Sequence, residues 1–174
     1  MTPPLLTRLD ARDRALFVRL ALDASRTHPL RGFWTTCTHL GGARGSIGLS
    51  LLALLLPAVT TGIAGRALLV LAVSHLVVQV VKRFAGRERP TARMSFNALI
   101  SVPDRFSFPS GHACAAMAVA ASFAWAFPVL AVPLLVLALL VGFSRVALGV
   151  HYPGDVVVGQ AIALLTAYVL LPGW

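Results

Sequence analysis

Residues 131–155 read AVPLLVLALLVGFSRVALGVHYPGD, a stretch in which an apolar run closes on Ser144 and Arg145 and is followed at once by His151 and Asp155. A hydrocarbon core of roughly 30 Å takes about 20 apolar residues in a helix. The run from Val129 to about Leu148 therefore reads as a membrane span with Arg145 near one end. Ionisable groups at such depth are costly unless they face a polar cavity or one another, so they mark a site. Pro153 and Gly154 break any continuous helix between His151 and Asp155, and a further span is expected from Asp155 to Leu171.

Upstream, three more apolar runs follow the same pattern. Spans are expected from Ser46 to Ala64, from Ala67 to about Phe84 after a tight turn at Gly65 and Arg66, and from Gly111 to Phe127 before Pro128. Lys82 and His112 stand near the ends of two of these runs. The polar segment from Gly86 to Ser110, rich in Arg, Asp, Pro and Ser, is too long for a tight turn and reads as functional. Alternating the spans places the ends of the second and fourth and the starts of the third and fifth on one side, so four elements should converge on one pocket.

Composition agrees. Of 174 residues 57% are hydrophobic and 12% charged, where a soluble domain carries about 25% charged residues. The expected fold is an all-α integral-membrane bundle of about five spans, with residues 46–174 forming the embedded domain and residues 1–45 an N-terminal segment. Within that segment, Ala11 to about Arg26 places Arg12, Arg19, Asp23 and Arg26 on one face and Phe17, Val18, Ala21 and Leu22 opposite. This is read as an interfacial amphipathic helix; the alternative is a helix packed on the spans with its charged face solvated. His28 to Gly45, with its glycines and Pro29, reads as a linker.

The net charge of +9 comes from fourteen Arg and one Lys against six acids. Seven Arg lie in the first 45 residues and five between Arg83 and Arg105, with no nucleic-acid-binding motif around either group. An anionic membrane surface and an anionic substrate remain as partners. Cys37 and Cys114 fit neither a zinc spacing nor a disulfide framework, and no His, Cys, Asp and Glu cluster has metal-ligand spacing. No metal or other cofactor is expected.

Three blocks carry chemistry: Lys82 with Arg89 and Pro90 as KxxxxxxRP, Pro109-Ser110-Gly111-His112, and Ser144-Arg145 with His151 and Asp155 as SRxxxxxHxxxD. Together they resemble the type 2 phosphatidic acid phosphatase superfamily, which includes bacterial lipid phosphatases and the vanadium haloperoxidases. The resemblance runs from Lys82 to Asp155. It implies a membrane phosphatase acting on a lipid phosphate or diphosphate through a phosphohistidine intermediate, with His151 as nucleophile and Asp155 as its orienting partner. Phosphatidic acid, phosphatidylglycerophosphate, a polyprenyl diphosphate and a polyprenyl-phosphate sugar are the implied substrates, and the sequence does not choose among them.

The residue types suit that chemistry. A phosphoryl group in transfer spreads negative charge over its equatorial oxygens, and catalysis is largely positioning plus fixed positive charge. Lys82, Arg89 and Arg145 supply that charge. Ser110 and Gly111 precede a helix, whose positive terminus and N–H groups favour an oxyanion. His112 stands beside them as a general acid for the departing oxygen. His75, with Ser74 and Gln79 nearby, reads as an interhelical hydrogen-bonding group. His28 and His39 read as surface or interfacial, and Glu88 as the partner of a neighbouring Arg.

Two other classes compete. A vanadium-dependent haloperoxidase uses the same anion pocket, but its relatives are soluble. A non-catalytic lipid-phosphate binder or transporter has no need of His112, His151 and Asp155 together. The cell membrane is the expected location, as a multi-pass protein. The side of the site stays open: the positive-inside rule favours the cytoplasmic face, whereas related bacterial lipid phosphatases more often face outward.

Overall fold

The computed structural model describes residues 4–24, 29–56, 60–94, 96–102 and 104–171. Among them the chain is helical: α1 (Pro4–Leu20), α2 (Arg31–Leu40), α3 (Ala43–Leu52), α4 (Thr61–Ala85), the single turn α5 (Pro90–Arg93), α6 (Gly111–Ala126), α7 (Ala131–Ala147) and α8 (Pro153–Leu170). Three stretches are long and apolar enough to cross a bilayer, Thr61–Ala85, Pro128–Ala147 and Pro153–Leu170, while Ala43–Leu55 and Gly111–Ala126 are shorter apolar helices. The protein is a membrane-embedded helical bundle. Of the five expected spans, three reach full length.

Helix α6 is the centre of the bundle, packed against α3, α4, α7 and α8. Its sequence, GHACAAMAVAASFAWA, is rich in Ala, and Ala113, Cys114, Ala118 and Ala121 are fully buried. Small side chains let helix backbones approach closely where lipid supplies no hydrophobic driving force. Val70 and Val78 of α4 with Ala163 and Ala167 of α8 complete this core. Leucines and valines such as Leu69, Leu76, Val132, Leu139, Leu165 and Val169 point outward, as a lipid-facing surface requires.

The first hairpin departs from the expected boundaries. Gly65 and Arg66 lie inside α4, and the chain leaves helical geometry at Leu56 and Thr60 instead. Leu56 precedes Pro57, and a residue before proline is pushed out of the α region. Thr60 then caps α4, its Oγ1 accepting from the Ile63 N–H at 3.3 Å. Gly65 has open space around it, so it serves no turn.

The expected linker is structured as well. Residues 31–40 form α2, whose Cys37 and Thr38 are buried as the helix packs on α7; the glycines at 41 and 42 separate α2 from α3 without dissolving either. A Cβ at Gly41 would lie 2.4 Å from Val141 Cγ1 and 2.8 Å from the His112 carbonyl oxygen, so this corner depends on a missing side chain. His28 lies outside the described residues.

Helix α1 starts earlier than expected and stops at Leu20, and Arg26 lies outside the described residues. Of the two readings, the packed one applies to the described part. Phe17 is fully buried, edge-on to Phe96 at 5.0 Å and Tyr152 at 5.4 Å, while Arg12 and Arg19 are exposed.

Helix α8 crosses the loop before α6 so tightly that a Cβ at Gly159 would stand 2.5 Å from the Ser110 carbonyl oxygen. No flexible side chain is there to yield. Gly159→Ala is therefore expected to destabilise the bundle by about 1–3 kcal/mol, measured as a lowered thermal midpoint in detergent; an unchanged midpoint would show that the crossing adjusts freely.

Candidate active site

The polar ends of four helices meet as the alternation of spans requires. Lys82 comes from the last turn of α4, Gly111 and His112 from the first turn of α6, Arg145 from the last turn of α7, and His151 from the residues just before α8. All five, with Arg89, line one cavity of about 1050 Å³.

Local chain geometry sets each group. Gly149 adopts φ +80°, a left-handed turn open to glycine, and Phe96 packs where a side chain would otherwise stand. The turn folds the chain back so that the N–H groups of Val150 and His151 both donate to the Arg145 carbonyl, at 3.1 and 3.2 Å. His151 is thereby fastened to the end of α7 before α8 begins. Across the site, the Ser110 N–H donates to the Asp155 carbonyl at 2.9 Å, joining the starts of α6 and α8. The loop between α4 and α6 is held by the Ser107 N–H, which donates to the Arg87 carbonyl at 2.8 Å, beside an antiparallel bridge of Glu88 with Phe106.

His151 is almost completely buried. Its Nε2 faces the cavity 3.2 Å from Arg89 Nη1, and its Nδ1 lies 3.6 Å from Asp155 Oδ2. That second distance is an ion-pair contact, longer than a hydrogen bond, so a small closure of the ring on Asp155 would complete the pair. Asp155 is positioned by its surroundings: Oδ2 accepts from the Tyr152 N–H at 2.9 Å and Oδ1 from Arg87 Nη1 at 2.6 Å. As the proline and glycine between them require, the His–Asp pair is made by a turn entering α8. Burial pushes the His151 imidazole down to about 4, with Asp155 opposing and Arg145 and Arg89 reinforcing. The ring is neutral near pH 7, the form in which Nε2 has a free electron pair.

Three cations surround this nitrogen, each nearly buried. Arg89 donates through Nη1 to the Val150 carbonyl at 2.6 Å and through Nε to the Asp104 carbonyl at 2.9 Å. Arg145 donates to Thr38 Oγ1 of α2 at 2.6 Å. Lys82 Nζ meets Asp104 Oδ2, and Arg89 Nη2 meets the other carboxylate oxygen. Asp104 thus bridges two of the three cations. Burial pushes its carboxyl up, but Lys82 and Arg89 outweigh this and bring it down to about 2. Ser110 caps α6, its Oγ accepting from the Ala113 N–H at 3.5 Å.

Every expected site residue lies in or against this cavity, but the expected list is incomplete. Asp104, Arg87 and Thr38 were not distinguishable from other loop and surface polar groups, because their partners lie far away in sequence. His75 corrects another expectation: it pairs with Gln79 of its own helix at 3.0 Å, because the two stand one turn apart on the cavity face. His39 is exposed at the same cavity. Glu88 pairs with Arg105 at 3.8 Å.

A membrane bundle whose helix ends hold a buried His–Asp pair beneath a cage of cations defines a class of oxyanion-handling membrane proteins. Residues 63–173 match the family model of the PAP2 superfamily, and the chain belongs to that superfamily. It is 38% identical over 105 residues to lipid A 1-phosphatase of Rhizobium etli, covering 55% of this chain and 45% of the relative. It is 37% identical over 94 residues to decaprenylphosphoryl-5-phosphoribose phosphatase of Mycobacterium tuberculosis, covering 52% and 49%. The chain spans about half the length of these curated relatives. The crystal structure of a transmembrane PAP2-type phosphatidylglycerolphosphate phosphatase from Bacillus subtilis superposes with a TM-score of 0.76 at 28% identity, covering 94% of this chain and 84% of that one.

Because Asp104 occupies Lys82 and Arg89, an incoming oxyanion competes with it. Asp104→Asn is expected to tighten binding of orthovanadate at least about threefold, since removing a like charge favours the anion. Isothermal titration calorimetry on the detergent-solubilised protein measures this, and an unchanged dissociation constant would show that the carboxylate does not compete.

Proposed function

We propose that the protein is a lipid phosphatase that removes phosphate from a lipid phosphate or diphosphate by histidine nucleophilic catalysis, without a metal. The observation that carries this reading is the placement of the His151 Nε2 in a cavity with Lys82, Arg89 and Arg145, backed by Asp155. In the reaction, Nε2 forms a bond to phosphorus while the bond from phosphorus to the leaving oxygen breaks. His112 protonates that oxygen, and the three cations with the Ser110 hydroxyl and the first N–H groups of α6 hold the charge on the equatorial oxygens. Water then attacks the phosphohistidine, giving up a proton to His112 and releasing phosphate. Asp155 stabilises the positive charge on the ring throughout.

The lipid nature of the substrate is supported by the cavity wall. Along α4, Leu68 and Leu71 precede His75 and Gln79, which precede Lys82, and all five line the cavity. Ile47 of α3 faces the same space. Such a wall grades from hydrocarbon through neutral polar groups to fixed charge, matching the chemistry of a phosphorylated lipid. The names of the relatives, which act on lipid A, a prenyl-phosphate ribose and phosphatidylglycerophosphate, support the same class. The protein is read as a multi-pass protein of a bacterial cell membrane, with Ala43–Leu55 and Gly111–Ala126 completing five crossings.

The direct test is phosphate release from phosphatidic acid, phosphatidylglycerophosphate and a polyprenyl diphosphate in detergent micelles containing excess chelator. Release that persists under chelation and is blocked by orthovanadate is expected. Complete loss of release on adding chelator, restored by a divalent ion, would overturn the mechanism.

The two histidines should give different signatures. His151→Ala is expected to abolish turnover of every substrate and leave no trapped phosphoenzyme. His112→Ala should lose activity mainly on substrates with poor leaving groups and recover substantially on a nitrophenyl phosphate, whose leaving group needs no acid. Acid-labile phosphoenzyme in His151→Ala, or equal deficits of His112→Ala on both substrate types, would reverse the assignments.

A further inference from the structure

Behind the His–Asp pair lies a second set of charges outside all three motifs. Arg87 stands in the variable stretch between Lys82 and Arg89. Its Nη1 lies 2.6 Å from Asp155 Oδ1 and 2.8 Å from Asp13 Oδ2, and its Nη2 lies 2.9 Å from Asp10 Oδ1. The guanidinium stacks over the Tyr152 ring at 4.1 Å. Asp13 also accepts from the Gly154 N–H at 2.8 Å, and a Cβ at Gly154 would stand 2.9 Å from that carboxylate. Helix α1 thus reaches both the orienting carboxylate, through Arg87, and the first turn of α8, directly.

We infer that Arg87, clamped by Asp10 and Asp13 of α1, is a positioning residue that sets the Asp155 carboxylate against His151. The physical case rests on what Asp155 faces. It is completely buried, and an ionised carboxylate in that setting needs compensation beyond a neutral imidazole and one backbone N–H. Arg87 provides a charged donor on Oδ1, which leaves Oδ2 directed at the His151 ring. A planar fork held on one side by two acids has no freedom to swing away from the third. The acids are what keep it there: without them, the nearby oxyanion pocket would compete for the guanidinium.

Other charges bear on the pair. Arg89, Lys82 and Arg145 face His151 from the cavity, with Asp104 on two of them and His112 across it. On the α1 side, Asp10 is shared with Arg14 and with Arg93 of α5 at 3.7 Å. Arg87 alone contacts the face of Asp155 turned from the histidine. Burial pulls the Arg87 guanidinium down, but Asp155 and Asp13 outweigh it and hold it above its ordinary value, so it stays charged throughout the working range.

The inference rests on His151 being the nucleophile, which phosphate release by the wild type and its loss in His151→Ala test separately. Arg87→Ala is expected to lower kcat about 10- to 100-fold, as loss of an outer partner of a reacting group does, with KM changed less than about threefold. The acid limb of kcat/KM should also move to higher pH, because an uncompensated carboxylate favours the protonated form of His151. Arg87→Lys keeps the charge and should leave the limb in place while recovering part of the rate. The paired variant Asp10→Asn with Asp13→Asn should lower kcat without moving the limb upward. Orthovanadate binding, read by calorimetry, should persist in all of them. Should Arg87→Ala fail to fold, Arg87→Gln retains the stem and a neutral donor and is read in the same way. A wild-type kcat in the Arg87 variants, a limb that does not move, or an equal upward shift in the double Asn variant would overturn the proposal.

Discussion

Three cations buried at the ends of membrane helices are the condition on which the rest of this molecule depends. Lys82, Arg89 and Arg145 are each nearly out of contact with solvent, and a desolvated charge is costly unless partnered. Arg89 meets two carbonyls and a carboxylate, Lys82 the same carboxylate, and Arg145 a threonine hydroxyl from α2. The donors still exceed the acceptors around them. A cavity built this way is ready for an oxyanion, and the helices that carry the cations must come together around it.

The same arrangement explains why α6 is so small-sided. Gathering the ends of α4, α7 and α8 around the start of α6 requires those helices to approach it closely along their length, which alanines allow. Gly159 at the Ser110 loop and Gly41 at the α2–α3 corner serve the same purpose where backbones meet. The packing of an apolar core and the assembly of a charged site are here one problem.

Charge is layered around the histidine. Nearest the cavity stand the three cations with Asp104, and behind Asp155 stand Arg87 and the acids of α1. His151 sits between the layers, neutral near pH 7 because it is buried among positive groups, which suits a nucleophile. The N-terminal helix, outside the matched family region, is joined to this second layer through Phe17 as well as through Asp10 and Asp13.

The membrane bundle and the inner site were legible in the sequence. Apolar runs of span length and ionisable residues at their ends follow from the cost of burying charge in hydrocarbon, and helix alternation alone places Lys82, His112, Arg145 and His151 on one side. The turn at Pro57 was missed because Gly65 offers an equally plausible break within a continuous apolar run, and only the capping of α4 by Thr60 decides between them. Helix α2 was hidden by the glycines and proline around it, since its stability comes from packing on α7 rather than from propensity. Asp104, Arg87, Asp10 and Asp13 carry no local signal at all. A charged side chain in a loop or on an amphipathic helix looks the same whether it faces water or a buried partner 68 residues away, as Arg87 and Asp155 are. Sequence determines which groups must escape lipid; only the tertiary fold decides which of them meet, because an ion pair is a matter of distance in space, and chain separation does not encode it.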